Sequence, residues 1–354
     1  MEYGQIRIRR GNMTYARKLQ KIGESLFVSL PKVWTKKTKL NRGDTVTIVE
    51  HPDGSVTLYP EVKESILKQT TLVVESGESI RSLRRRVTGA YVDGFDLIRL
   101  EAKGKFPDDQ QDAIREITVD LFGLEIVELT SNSVTVQCLL TKTLPIERMI
   151  QRIHSNARAM FGETIAALRE RDPKVAKSVI KSMRDVKRLS LVVHRLLRSL
   201  ILFPTEWTLD MKPIDSVDFL RVIDKITEIS GGIRKIAESI VMWEYPHSDD
   251  VVEKLVEISD REMGLYDWSM QALMSKDISL ANRVLDENLQ LGFDGLWNLL
   301  LKVEQESEVS AAAFSHMHRI MDNLKQIEVY SQEIAEIAID RAEEVYEKER
   351  DVTG

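Results

Sequence analysis

A sequence repeat in the longer, C-terminal part of the chain sets the strongest limit on how it folds. The segment IAALRERDPKVAKSVI at 165–180 aligns with MQALMSKDISLANRVL at 270–285, at a constant offset of 105 residues. Asp172 and Asp277 occupy equivalent positions that suit a helix N-cap, and Pro173 follows at a first helical position. The repeat therefore predicts two similar helical units in tandem.

Apolar residues around the two copies recur at helical spacing. Leu189, Val192 and Leu196 are an example of this three-or-four-residue period. Two tandem three-helix units fit the pattern better than a superhelical array, which needs three or more copies. The six helices are expected at 146–170, 173–203 and 216–243 in a unit spanning 145–247, and at 250–275, 278–304 and 308–349 in a unit spanning 248–350.

Residues 61–144 alternate between strand-type and helix-type patterns. The order strand, helix, strand, helix, strand, strand predicts a small α/β domain, with its last two strands paired as a hairpin. The strands are expected at 70–76, 96–104, 125–130 and 133–140, and the helices at 78–94 and 107–123.

The first helix of this α/β segment carries four arginines. They favour either an anion-binding site or a solvated helix face, and a solvated face is the more common reason for arginines spread around a helix. No phosphate-cradling glycine pattern accompanies them. The four residues are Arg81, Arg84, Arg85 and Arg86.

The pattern of residues 17–60 predicts short strands around one helical turn. In SLFVSL, the residues Leu26, Val28 and Leu30 follow the two-residue period of a strand. Pro31 suits the first position of a short helix, and two further strands, TVTIVE and SVTLYP, follow turn-forming residues. Four short strands and one helical turn bury little apolar area, so such a module usually completes its core with a second copy.

Charge is unevenly distributed along the chain. Residues 1–60 carry eleven Lys or Arg and five Asp or Glu, a net +6, whereas the whole chain carries −6, so the remainder carries −12. This asymmetry indicates a segment that meets an anionic partner, joined to a body that does not. The alternative is a solvated basic face without a partner.

The stretch RKLQKIGESLFVSLPKVW at 17–34, followed by LNRGDTVTIVE at 40–50, resembles the AbrB/SpoVT-like swapped-hairpin domain. Domains of this family intertwine into dimers and typically bind DNA through a basic face. The resemblance implies that Gly23 permits a tight link between strands. The core residues that it implies are Val28, Leu30, Val46 and Ile48.

The same resemblance implies a set of DNA contacts. Basic side chains bind phosphates through counterion release, while polar side chains must reach base edges to select a sequence. The segment RIRR is expected to act as an additional arm on phosphates, and Lys36 and Lys37 are expected to add only to solubility. The DNA-binding candidates are Arg7, Arg9, Arg10, Arg17, Lys18, Gln20, Lys21, Ser25 and Lys32.

The repeat pair resembles PhoU, the phosphate-uptake regulator family of tandem three-helix bundles. The resemblance rests on DPKVAKSVIKSMRDVKRL in the first unit and DISLANRVL in the second. PhoU proteins often hold metal clusters through two carboxylates four residues apart on one helix face. The equivalent positions lack carboxylates, so no metal site is expected. They are Thr227 with Gly231, Lys325 with Val329, and Met183 with Lys187.

Several classes of function find no support in the sequence. The single cysteine, Cys138, lies in an alternating run and is expected to be a buried strand residue. The longest apolar stretch, at 189–203, contains His194, Arg195 and Arg198 and is too short to cross a bilayer. With no secretory signal pattern, we expect a cytoplasmic protein without membrane insertion. Catalytic motifs are absent, so we expect neither an enzyme nor a cofactor.

These features predict a multidomain α+β protein that is mainly α. It would comprise a small swapped-hairpin β-barrel domain at 1–60, an α/β linker domain at 61–144 and the tandem three-helix bundles. The combination resembles archaeal phosphate-uptake regulators, which implies a DNA-binding transcriptional regulator of phosphate homeostasis that forms a homodimer or higher homo-oligomer. Its helical body would sense phosphate status or bind a protein partner.

Two other functions remain open at this point. One is a signalling adaptor that docks on a phosphate transporter or sensor protein and does not use DNA. The other is an antitoxin-like DNA binder whose helical body binds a different partner.

Overall fold

A computed structural model divides the chain into two compact units, Met1–Ile66 and Leu67–Gly354. Most residues of both units are described. They are residues 6–9, 12–50, 54–60, 67–75, 77–140, 145–202, 211, 213–242, 249–287, 290–306 and 311–352.

The N-terminal unit consists of antiparallel hairpins and one short helix. Each sheet has two strands, and the described residues of this single chain do not close them into a barrel. Pro31 is the N-cap residue of the helix, one position earlier than predicted. The elements are β1 (Ile6–Arg9), β2 (Asn12–Tyr15), β3 (Gln20–Ile22), β4 (Ser25–Phe27), α1 (Lys32–Lys37), β5 (Val46–Glu50) and β6 (Val56–Pro60).

The first hairpin places part of the expected N-terminal arm in a sheet. Strand β1 pairs with β2 in an antiparallel register that places Ile6 opposite Tyr15 and Arg9 opposite Asn12. Within the RIRR segment, the backbone from Arg7 to Arg9 is therefore part of a β-sheet. Two isoleucines alternating with arginines give only a weak strand signal, which the dominant charge obscured.

The second unit begins with a four-stranded sheet covered by two helices, called here the α/β layer. Its element order is the predicted one, and the strands lie in the order β7-β8-β10-β9, with β7 and β8 parallel and the other pairs antiparallel. Cys138 is buried in the last strand, as predicted. The elements are β7 (Gln69–Val74), α2 (Ile80–Val92), β8 (Leu97–Ala102), α3 (Asp108–Asp120), β9 (Leu124–Leu129) and β10 (Ser133–Cys138).

The remaining helices form a bundle around one large apolar core. Phe161, Ile226 and Ile334 are fully buried in it, and the core is continuous through both predicted three-helix units. The apolar periodicity of the sequence explains why one face of each helix is buried. The helices are α4 (Ile146–Glu170), α5 (Pro173–Leu202), α6 (Pro213–Met242), α7 (Asp249–Ser275), α8 (Ile278–Asp286), α9 (Gln290–Glu306) and α10 (Ala311–Val352).

The sequence repeat corresponds to a structural repeat at the end of the first helix of each unit. Arg171 and Lys276, which are 105 residues apart, both have left-handed backbone conformations, with φ of 55° and 54°. The amide of Asp172 donates to Ala167 O at 3.0 Å, and the equivalent amide of Asp277 makes the equivalent bond, also at 3.0 Å. The Asp277 side chain caps α8 by accepting from Leu280 N, as predicted.

The expected helix at 278–304 is instead two helices, α8 and α9. The backbone of Glu287 is extended at the end of α8, with φ −68° and ψ 129°. Apolar residues continue at helical spacing on both sides of this break, so periodicity alone does not reveal it. The other five helices begin and end within three residues of their predicted positions.

A buried arginine joins α5 of the bundle to the α/β layer. Arg195 is only 5% exposed, and its guanidinium donates to Tyr91 O at 2.6 Å, Phe95 O at 2.8 Å and Asp96 Oδ1 at 2.9 Å. Nearby, Arg198 pairs with Asp93 at 2.5 Å in a half-exposed position. The buried pair fixes the spacing between the layer and the bundle.

Candidate nucleic-acid interface

The β3–β4 hairpin presents the central part of the predicted DNA-binding sequence. Ile22 pairs with Ser25 across a two-residue turn, and Gly23 occupies the first turn position with φ of +65°. A positive φ at this position favours glycine, since other residues would be strained there. The turn confirms the role that the resemblance assigned to Gly23.

Strand register divides the candidate side chains of this hairpin between two faces. Gln20 lies opposite Phe27, and Ser25 lies opposite Ile22, so Gln20 and Ser25 are on the same face. Lys21 lies opposite Leu26 on the other face. The hairpin therefore brings the two expected base-contacting residues together and separates them from this lysine.

The other basic candidates of this region are exposed. Arg17, Lys18 and Lys32 all lie at the surface, and Lys32 is the first residue of α1. Lys21 approaches Glu24 at 3.8 Å, but both side chains are largely solvated, so this pair contributes little stability and leaves the lysine available to an anion. Arg17 lies 5.8 Å from the ring centroid of Tyr15.

The arm residues are described less fully. Arg7 and Arg9 belong to β1. Arg10 lies outside the described residues. Their contact with DNA stays a prediction.

The N-terminal unit exposes the apolar residues that the resemblance assigned to a core. Val28 and Ile48 are 50% and 64% exposed, while Leu30 and Val46 are half-buried. None of the described side chains between residues 15 and 60 is buried. The expected core is therefore not formed within one chain.

The four arginines of α2 divide between solvent and ion pairs. Arg81 and Arg85 are exposed. Arg86 pairs with Glu78 at 2.7 Å, and Arg84 pairs with Asp120 and with Glu116. Arg84 also lines a cavity. A solvated helix face therefore describes Arg81 and Arg85 but not Arg84.

Metal binding and membrane crossing each require a recognisable arrangement of side chains or helices. Within the described part of the chain, no group of three or more His, Cys, Asp and Glu residues is arranged to hold a metal ion. Over the same residues, no helix has the length and apolarity that crossing a membrane requires.

Comparison with protein families identifies two domains. Residues 19–65 match the family model described as antidote-toxin recognition MazE, bacterial antitoxin. Residues 150–240 match the PhoU domain model. The chain thus contains a MazE/AbrB-like domain near its N-terminus and a PhoU domain in its helical body, which confirms both resemblances. Neither model describes an enzyme.

Solved structures similar to this chain include two PhoU proteins. The PhoU structure from Pseudomonas aeruginosa has a TM-score of 0.49 and 13% identity, covering 55% of this chain and 93% of that one. The phosphate transport system regulatory protein PhoU from Streptococcus pneumoniae has a TM-score of 0.46 and 13% identity, with coverage of 55% and 91%. A search of curated proteins gives no match.

Proposed function

We propose that this protein is a dimeric, cytoplasmic, DNA-binding transcriptional regulator of phosphate uptake and homeostasis. The N-terminal domain at 1–60 binds DNA as an intertwined pair, and the α/β domain at 61–144 links it to two three-helix units at 145–247 and 248–350. The helical body senses phosphate status or binds a phosphate transporter or sensor. The protein acts by binding and not by catalysis.

The observation that carries this proposal is a basic surface on a unit that lacks its own core. Leu26, Val28 and Ile48 are each at least half exposed in the single chain. Apolar side chains of this number in a small unit are stabilised when a second copy covers them. Pairing also doubles the basic surface, because Lys18 and Lys21 of each copy then face the same duplex, and phosphate contacts add in their effect on affinity.

Charge reversal tests the DNA-binding step. A Lys18→Glu/Lys21→Glu variant of the full chain should lose binding to a duplex from its own promoter, measured by fluorescence anisotropy. The matched control is Lys36→Glu/Lys37→Glu, which reverses two exposed charges in the last turn of α1. Binding that survives in the first variant as well as in the control would overturn the DNA-binding face proposed here.

An antitoxin-like regulator is a second candidate, favoured by the MazE match over 19–65. It shares the DNA-binding step and differs in the protein that the helical body binds. Affinity purification of the full chain from its own cells separates the two functions. A phosphate transporter or sensor as the main partner supports the phosphate regulator, whereas a small toxin-like protein supports the antitoxin.

A further inference from the structure

A cavity of 610 Å³ lies where the α/β layer meets the helical bundle. Helices α2 and α3 of the layer supply some of its lining residues, and α5 and α6 of the bundle supply the others. The buried pair between Arg195 and Asp96 joins the same two parts of the molecule. This space, called here the joint cavity, is therefore bounded by elements that are held together.

The joint cavity is strongly basic. Among the described residues that line it, five are basic and one, Asp120, is acidic. This composition contrasts with the acidic balance of the chain outside its first 60 residues, so it does not follow from average composition. The basic residues are Arg84, Arg184, Lys187, Arg188 and Arg234.

Asp120 positions two of these arginines. Arg184 Nε donates to its Oδ1 at 2.8 Å, and Arg84 donates to its Oδ2. Burial alone would raise the pKa of the Asp120 carboxyl, but the hydrogen bonds from Arg184 and Arg84 outweigh burial and lower that pKa. The charged carboxylate holds both guanidinium groups in place, and each guanidinium has five N–H donors, more than one carboxylate can use.

Two other cations have no such partner. Among the described residues, Lys187 and Arg188 form no ion pair, and the buried Nε of Arg188 has no hydrogen-bond acceptor. The Arg188 guanidinium lies 5.9 Å from the ring centroid of Phe122. In the described part of the chain, the terminal N–H groups of Arg188 have no acceptor either, so its guanidinium is available to an anion in the joint cavity.

The other charged residues around the joint cavity do not neutralise the positive charge of Lys187 and Arg188. Arg234 pairs with Glu238, which Arg319 also approaches at 3.6 Å, so the charge of Arg234 is offset in part. Asp185 is the acidic residue closest in sequence to Lys187 and Arg188, and it lines a different cavity beside α5. The uncompensated charge of the joint cavity is thus concentrated at Lys187 and Arg188.

The size and apolar lining of the joint cavity restrict the anion that fits. Its volume lies within the range of about 300–1,000 Å³ that is typical of sites for small organic molecules. The half-buried Ile180 and Leu191 line it together with the cations, along with Ile117 and Leu121, which are already buried in the core of the α/β layer. Inorganic phosphate is too small to cover Ile180 and Leu191 while it contacts the cations, whereas an organic phosphate would cover both.

We propose that the joint cavity binds a phosphorylated organic anion of about nucleotide size, with its phosphate on Lys187 and Arg188 and its organic part against the apolar lining. Such a ligand contacts α2 and α3 on one side and α5 and α6 on the other. It therefore stabilises the junction between the layer and the bundle. This proposal does not depend on the N-terminal unit binding DNA.

Calorimetric titration of the full chain with chosen probes tests the ligand class. ADP should bind and should also raise the thermal unfolding midpoint, since binding to the folded state alone stabilises it. Adenosine, which lacks phosphate, and inorganic phosphate, which lacks the organic part, should each bind at least about tenfold more weakly. Failure of both ADP and ribose 5-phosphate to bind at millimolar concentration would overturn the proposal.

Variants of α5 then locate the bound probe. A Lys187→Gln/Arg188→Gln variant should weaken ADP binding by about tenfold or more, because it removes two charge-assisted contacts. The matched control, Lys177→Gln/Lys181→Gln, removes two exposed charges from the same helix outside the joint cavity. An equal loss in both variants would show only a general charge effect and would contradict the proposed site.

The Lys18→Glu/Lys21→Glu variant separates this site from the DNA-binding face. It should bind ADP with unchanged affinity whether or not it binds DNA. Loss of ADP binding in this variant would place the probe on the N-terminal unit and would overturn the assignment to the joint cavity.

Discussion

Residues 15–60 and residues 67–342 of this chain differ sharply in how far their apolar side chains are buried. In the first region no described side chain is buried, and Leu26 is 67% exposed. In the second, Ile98 and Ile226 are completely buried in two apolar clusters. In both regions the strands and helices form where the same kinds of sequence pattern, apolar periodicity and turn residues, predict them.

The difference shows that correct local structure does not guarantee a core. The strands of the β3–β4 and β5–β6 hairpins pair in regular antiparallel register, yet a two-stranded sheet has no second layer to cover its side chains. The long helices and the four-stranded sheet of the second region cover one another. The first region is therefore expected to need association, whereas the second folds around its own core.

The largest effect is expected from a charged residue placed among the exposed apolar side chains of the N-terminal unit. Val28→Asp places a carboxylate in the proposed interface between copies, where its desolvation costs several kcal/mol. We expect dissociation of the dimer and loss of DNA binding. Sedimentation of the full chain, together with anisotropy, measures both effects.

Val127→Asp is the matched control for that substitution. Val127 is 51% exposed, nearly the same as Val28, but it lies on β9 of the α/β layer. This variant should remain dimeric and bind DNA. A Val28→Asp protein that also remains dimeric would remove the distinction between the two regions.

The next largest effect is expected from removing the ion pair between Arg195 and Asp96, which should lower the stability of the second region alone. Arg195→Met removes the charge-assisted hydrogen bond from Arg195 to the buried Asp96, which we expect to destabilise the fold by about 3–5 kcal/mol. Arg198→Met breaks the half-exposed pair with Asp93 and should cost less than about 1 kcal/mol. Urea unfolding compares the two variants, and equal losses would contradict the role given to burial.

Glu262 makes the stability of the bundle depend on pH. It is completely buried on α7, and neither carboxylate oxygen has a hydrogen-bond partner among the described residues. Burial raises the pKa of Glu262 well above its ordinary value, and the nearby Glu328 carboxylate raises it further. The protonated side chain is therefore the form that the fold accommodates.

Because this pKa is raised on folding, its stabilising contribution is complete below the unfolded-state pKa and is lost as pH rises through the folded-state pKa. Glu262→Gln should stabilise the protein by about 1–2 kcal/mol at pH 8 and by less at pH 5. The control is Glu257→Gln, an exposed position on the same helix. A change in stability from Glu262→Gln that is the same at both pH values would refute the assignment.

The smallest effect is expected at Gly231 of α6. A Cβ there meets no atom within 4 Å, so Gly231→Ala should stabilise the helix by about 0.5–1 kcal/mol. At Gly232 a Cβ lies 3.5 Å from Ile327 of α10, so Gly232→Val should be destabilising by about 1–3 kcal/mol. Thermal unfolding of both variants measures whether α6 and α10 cross closely at Gly232.

Elements with long, regular patterns were the ones that the sequence predicted well. The repeat placed Asp172 and Asp277 at helix starts, and apolar periodicity placed α4–α7 within three residues of their observed ends. The extended backbone at Glu287 was missed because the apolar spacing passes through it. Strand β1 was missed because it is short and highly charged.

Features that depend on distant parts of the chain were not predictable in the same way. Arg84 and Lys187 line one cavity although about 100 residues separate them, so no local spacing connects them. The arginines of α2 were the available signal, but only the fold distinguishes Arg84 from Arg85. The predicted core residues Val28 and Ile48 are exposed in the single chain, and the small size of the unit was the only sequence signal for association with a second copy.

The central claim is that the coreless, basic N-terminal unit binds DNA as a pair. Anisotropy of the full chain with its own promoter duplex and with a random duplex, over a series of salt concentrations, tests it most directly. We predict tighter binding to the promoter and a linear fall of log affinity with log salt, with a slope steeper than about −4, as expected when a pair of copies contacts several phosphates. No binding to either duplex at low salt would contradict the claim and would favour an adaptor that does not use DNA.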